Sequence, residues 1–298
     1  AKLDLDLILE AYVDVERDVR PYLASASKDE WSRGAWALII ALRNQGRLRD
    51  AMQFHRTGTL AGYPTPSVSR APDDFNEGIL SLERGDGRAA AAVFAKRVQW
   101  EWSHLSPGFQ ARHRTWNATL EAMGLTAAGD TIALRALADS VETWGRGSSY
   151  GRDRKAHHYV RGLVLAAAGH HEDAAREFRA AVHSPSLGFT RVNYELARCL
   201  LALSRPREAI AVLRSALHGI ADASNLYITR TALHELLAES YDRAGVVDSA
   251  AMNYRAVATA WQHADPEFRV RREHAVHWLA RHCVAGGGSR TNTCSAAH

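Results

Sequence analysis

The chain has 298 residues, 46 % hydrophobic and 23 % charged, with a formal net charge of +4. Acids and bases are interleaved almost everywhere, so direct nucleic-acid binding by this segment is not implied. Apolar runs such as Leu38 to Leu42 and Leu163 to Ala168 are too short to cross a membrane, and the chain is expected to be soluble.

Taken in order, the first segment, Leu3 to Leu23, reads as a helix. The chain starts at Ala1 without an initiator Met, which suggests a fragment of something longer, and no signal-peptide pattern follows. Periodicity then predicts helical pairs at about 32–59, 71–102, 109–144, 155–184, 189–218 and 225–262, and a capping helix from Pro266 to about Cys283. Breaks fall at 62–66, at Ser106-Pro107-Gly108, at 145–151 and at Pro185, and no strand-like alternation persists. The array is expected to fill residues 1–284. Residues 285–298, rich in Gly, Ser, Thr and Asn, are expected to be a disordered tail.

One phrase recurs through these pairs: Gly, polar residues, Ala, then a large apolar residue one turn further on. It reads Gly46 to Ala51, Gly85 to Ala90 with Phe94, Gly169 to Ala174 with Phe178, and Gly245 to Ala250 with Tyr254. A weaker copy runs from Ser204 to Ala209 with Leu213. The Gly supplies a left-handed helix C-terminus, the acid in the next first turn complements the helix dipole, and the small Ala lets two helices close on the large side chain. Each unit is then a helical hairpin that buries its apolar face only by stacking on neighbours.

These positions resemble the tetratricopeptide repeat (TPR). Gly162, Ala174, Phe178 and Ala181 fall on the family's four small and large positions, with Pro185 close to the terminal proline. Ala197, Ala209, Leu213 and Ala216, and later Ala238, Tyr241, Ala250 and Tyr254, match in the following units. Upstream, His55 and Leu134 depart from the pattern, and Ala51, Ala90, Leu134, Ala174, Ala209 and Ala250 are spaced more widely and less evenly than the family norm. The resemblance implies an all-α, right-handed superhelical solenoid of antiparallel hairpins. It is similar to the irregular arrays of bacterial transcriptional activators and signalling kinases, and it says almost nothing about a ligand.

Segments that suggest chemistry each have a plainer reading. His234-Glu235 begins like a helical zinc motif, but Ala238 stands where the second histidine must be. Gly145 to Arg152 has the composition of a phosphate loop without its spacing or lysine, and reads as a flexible inter-repeat loop. His274, His277, His282 and Cys283 lack a further ligand at matching spacing and read as a basic helix end. Asn117-Ala118-Thr119 is a glycosylation sequon in the middle of a helix. Cys199, Cys283 and Cys294 form no paired framework, which points to a reduced, cytoplasmic setting. No catalytic constellation, metal site or cofactor fingerprint emerges, so a non-enzyme is expected.

What remains is the surface the resemblance implies, where the first helix of each hairpin lines a concave face. Its inward positions carry Trp36, Phe75, Trp116, Tyr159 and Tyr194, with Arg191 and Arg198 and, in the following hairpin, Glu235 and Glu239. Aromatic anchors bury large area at little rotamer entropy. The alternative for these rings is burial in the core, since a one-residue slip turns a side chain by about 100°. The expected function is a protein-interaction scaffold whose groove binds a peptide or partner segment. The alternative is a ligand- or partner-sensing regulatory region of a transcriptional activator or signalling kinase.

Overall fold

A computed structural model describes residues 2–59, 71–181, 190–218 and 227–283. Every element among them is helical. In chain order these are α1 (Lys2–Ile8), α2 (Tyr12–Asp18), α3 (Arg20–Leu23), α4 (Lys28–Asn44), α5 (Leu48–Phe54), α6 (Ala71–Glu83), α7 (Gly87–His104), α8 (Pro107–Ala128) and α9 (Thr131–Gly147). Then follow α10 (Ala156–Ala167), α11 (His171–Ala180), α12 (Thr190–Ala202), α13 (Pro206–Leu217), α14 (Arg230–Arg243), α15 (Val247–Ala260) and α16 (Arg269–His282). The expected tail lies outside the described residues. The helices fall into two compact units, one of residues 1–51, 185–190 and 204–298, the other of 52–184 and 191–203.

The recurring phrase behaves as its chemistry dictates. Gly46, Gly85, Gly129, Gly169 and Gly245 all have positive φ, and Ser204 holds the same conformation in the weaker copy. At Gly169 the turn closes with His170 N–H donating to Leu165 O at 2.9 Å, which satisfies a carbonyl the helix end leaves open. Asp86 and Asp130 accept the Ala89 and Ala133 N–H groups at 3.0 Å and cap the helices that follow. Ala51, Ala90, Ala174, Ala209 and Ala250 are fully buried, as are Phe94, Phe178 and Leu213, with Tyr254 nearly so. A Cβ on Gly162 would lie 2.6 Å from the Phe178 ring, and one on Gly78 2.4 Å from Phe94.

In the first unit, Leu3, Leu7, Tyr12, Val15 and Val19 form a core with Ala37, Ile40 and Ala41 of α4. The single helix expected over this segment is three short ones. Glu10 turns the chain at φ 59°, and Pro21 sits in the first turn of the four-residue α3. The same unit joins its two distant stretches of sequence, a contact that nearest-neighbour stacking alone does not supply. Asp265 donates its N–H to Gly46 O at 2.9 Å, while its carboxylate accepts from the Arg49 N–H at 2.8 Å at the start of α5. Asn44 accepts from the Tyr12 hydroxyl at 3.0 Å through Oδ1 and from Thr231 Oγ1 at 2.8 Å through its carbonyl.

In the second unit, α6 through α11 pack each on the next, with α8 also meeting α10. Two glycines set the closest approach. A Cβ on Gly87 would lie 2.5 Å from Ala128 N, and one on Gly124 2.5 Å from Ala91 N, so α7 and α8 touch backbone to backbone. His55, standing where the pattern wants a large apolar residue, is buried all the same, and Leu134 fills the site where Ala was expected.

Cys199 is buried and free, its thiol pushed up to about 11 by burial. Cys283 is disulfide-bonded, which corrects the expectation that the cysteines form no paired framework. No described helix is long and apolar enough to cross a membrane.

Candidate functional site

Three of the residues singled out from sequence meet in the second unit, each carried by a different helix. Trp116 comes from α8, Tyr159 from α10 and Arg191 from the first turn of α12. The Arg191 guanidinium lies 4.7 Å from the Trp116 ring centroid and 4.9 Å from that of Tyr159. Its Nη2 donates to Thr119 Oγ1 at 2.5 Å, and the Met123 sulfur lies 3.9 Å from Nη1. Trp116, Thr119 and Met123 share one face of α8 because they are three and four residues apart. A guanidinium is planar and weakly hydrated, so it tolerates this aromatic wall better than an ammonium does.

The exposure of these groups differs from what a row of open anchors requires. Tyr159 is 3 % exposed and Arg191 4 %. Tyr159 packs against Phe178 at 6.0 Å between centroids, and burial raises its phenol well above its ordinary value. These two are therefore walls of the cluster rather than faces open to a partner, which is the core alternative weighed above. Trp116 and Tyr194 are half-buried and Arg198 is exposed. Arg198 pairs with Glu195 at 3.1 Å; the Glu195 carboxyl is raised by burial, which outweighs that pairing, and the guanidinium is raised in turn by Glu195.

The remaining residues of the expected groove are placed elsewhere. Phe75 packs on Phe94 at 6.4 Å, on the α6–α7 pair of the second unit. Trp36 covers the core made by α1, α2 and α4 in the first unit. Glu235 is bound to Arg271 in a two-bonded pair, one bond at 2.9 Å, and Glu239 accepts from Arg243 at 2.5 Å within α14. Both acids are thus held by arginines of their own unit.

Sequence reasoning missed what surrounds Trp116. The segment read as a flexible loop after α9 is pinned: Ser148 donates to the Asp153 carboxylate at 2.6 Å with both residues buried, and Tyr150 N–H donates to Ser148 Oγ at 3.1 Å. Gly145 allows the close return, since a Cβ there would lie 2.4 Å from Asp153 O. The turn sets two loop residues against two residues one helical turn apart on α8. Arg112 lies 3.5 Å above the Tyr150 ring, and Arg152 5.3 Å from Trp116. Arg114 stacks 4.0 Å above Trp144 beside them. The available signal was the alternation of Arg with aromatics over 112–116 and 144–152, but its meaning depends on the turn.

The histidines that suggested a metal are engaged otherwise. His234 Nε2 faces Glu10 Oε1 at 2.8 Å and its Nδ1 faces Asn253 Oδ1 at 2.7 Å. His282 bonds Trp278 O through Nδ1 at 2.8 Å, and His274 packs edge-on to Tyr254. Among the described residues no group of three His, Cys, Asp or Glu side chains is placed to hold an ion. Asn117, the sequon residue, is buried on α8.

No protein-family model matches the chain, and no curated protein or solved structure is similar to it.

Proposed function

We propose that this protein is a non-catalytic interaction scaffold, a TPR-like right-handed array of hairpins that binds a peptide or partner segment. The observation that carries the reading is the convergence of Trp116, Tyr159 and Arg191 from three helices into one cluster with the half-buried Trp116 at its edge. Large rings held rigid by stacked guanidiniums lose little entropy when a partner covers them. Of the residues expected in the groove, Trp116, Tyr194 and Arg198 retain exposed surface for such a contact, while Tyr159 and Arg191 hold the ring of Trp116 in place. No cofactor is needed for this role.

Selection from a displayed random-peptide library tests it. Peptides selected on the wild type should lose roughly tenfold or more in affinity for Trp116→Ala and Tyr194→Ala, with both variants retaining the wild-type helical spectrum. A library yielding no ligand, or ligands indifferent to both substitutions, would sink the proposal.

A further inference from the structure

We infer that the pinned turn after α9, together with the facing turn of α8, is a docking surface for an acidic peptide segment. The inference rests on the scaffold reading and names the chemistry of the partner. From Gly145 to Lys155 the sequence carries Arg146, Arg152, Arg154 and Lys155 against one acid, Asp153. That acid is 1 % exposed and spends its carboxylate on Ser148, with Arg152 Nε no nearer than 4.0 Å, so it neutralises little of the charge outside. Arg152, Arg154 and Lys155 are exposed, and no carboxylate pairs with Arg154, Lys155 or Arg112 among the described residues. Arg146 differs, being held by Glu142 on the preceding turn of α9.

The cations are also held in place before a partner arrives. The Ser148, Asp153 and Gly145 contacts fix the turn, Tyr150 supports Arg112, and Trp116 lies beside Arg152. A guanidinium lying on a ring keeps its N–H edge directed outward, the geometry that takes a carboxylate through two parallel bonds.

A nucleic-acid strand fits the same surface less well. Base stacking needs an open aromatic face, and one face of Tyr150 is taken by Arg112 while Trp116 carries two guanidiniums. Asp139 and Glu142 on α9 also interrupt the positive charge that a continuous phosphate backbone would track.

Fluorescence anisotropy with the full chain tests the assignment, using a labelled twelve-residue Glu/Asp-rich peptide, its Gln/Asn analogue and oligo-dT of equal charge. The acidic peptide should bind at low salt, weaken as salt rises, and exceed the neutral analogue. Its affinity should fall roughly tenfold in Arg112→Gln/Arg152→Gln and in Arg154→Gln/Lys155→Gln, and stay unchanged in Arg135→Gln, an exposed arginine of α9. The second double variant touches only exposed cations that pair with no carboxylate among the described residues, so its melting temperature should match the wild type and separate lost binding from lost folding. Absence of acidic-peptide binding, indifference to both double variants, or oligo-dT binding more tightly and being lost in the same variants would each overturn the inference. If library-selected peptides still depend on Trp116 and Tyr194 while the acidic peptide fails, the scaffold stands and this surface does not. The opposite pattern removes the aromatic site and keeps the basic one.

Discussion

At the scale of single residues, the fold turns on where a side chain is absent or misplaced. Gly162 leaves room for the Phe178 ring, and any Cβ there would sit 2.6 Å from it. Gly162→Leu should therefore cost on the order of 1–3 kcal/mol or more, whereas Gly151→Ala, with nothing within 4 Å, should leave the thermal midpoint almost unchanged. Equal shifts for the two variants would show that the α10–α11 contact is not the tight one. Glu121 on α8 offers a second test, because burial pushes its carboxyl up to about 7. A folded value above the ordinary carboxyl value of 4.5 means that the folded state holds a proton the unfolded state has given up. Stability then falls as pH rises from 4.5 towards 7. Glu121→Gln should match the wild type near the lower pH and exceed it at pH 8, by roughly 1–2 kcal/mol after allowance for solvent screening. Melting curves at both pH values decide it.

At the scale of elements, helix ends explain why the hairpins form where they do. Asp130 illustrates this at the α8–α9 turn, where Gly129 reverses the chain and the next residue's carboxylate takes the Ala133 N–H. Asp130→Ala should cost about 1 kcal/mol through that lost cap, while Asp130→Asn, which keeps an acceptor oxygen, should retain most of the stability in chemical denaturation. A loss as large in Asn as in Ala would assign the effect to charge near the helix dipole instead. The turn after α9 differs in kind: it is a structured return held by a buried Ser148–Asp153 pair rather than a spacer. Composition alone suggested flexibility there because Gly and Ser are common in mobile linkers.

At the scale of the whole chain, the notable device is the seam within the first unit between the opening helices and α14 and α15. Arg230 Nε donates to Glu10 at 2.9 Å and His234 faces the same oxygen, while Asn253 is anchored by donating to Ser249 O at 2.7 Å. Beside them the Tyr12 hydroxyl, Asn44 and Thr231 form a buried set of hydrogen bonds. Asn44→Ala strips the Tyr12 hydroxyl of its acceptor at a cost of about 1–3 kcal/mol. Hydrogen exchange should then quicken together in 2–23 and in 230–260, although these stretches are far apart in sequence. Exchange rising in only one of them would show that the seam does not couple them. Burial alone would raise the Glu10 carboxyl, but His234 and Arg230 hold it below its ordinary value. The stability it contributes is present above the unfolded value near 4.5 and is lost as pH falls through the lower folded value. The difference in urea midpoint between wild type and Glu10→Gln should accordingly shrink as the solution is taken below that pH.

The sequence by itself determined the helical class, the hairpin units and their turns, because those depend on interactions within a few residues: a left-handed position, a capping acid, and a small residue one turn from a large one. It also marked Trp116, Tyr159 and Arg191 as residues of interest. Only the tertiary structure decided that Tyr159 and Arg191 are buried walls, since the same periodicity fits an inward or outward face until neighbouring helices are in place. It also decided that Glu10 meets Arg230 and His234, and that Arg112 and Arg152 stack on rings from another element. Such contacts join residues tens to hundreds of positions apart, and no local pattern encodes a partner at that distance.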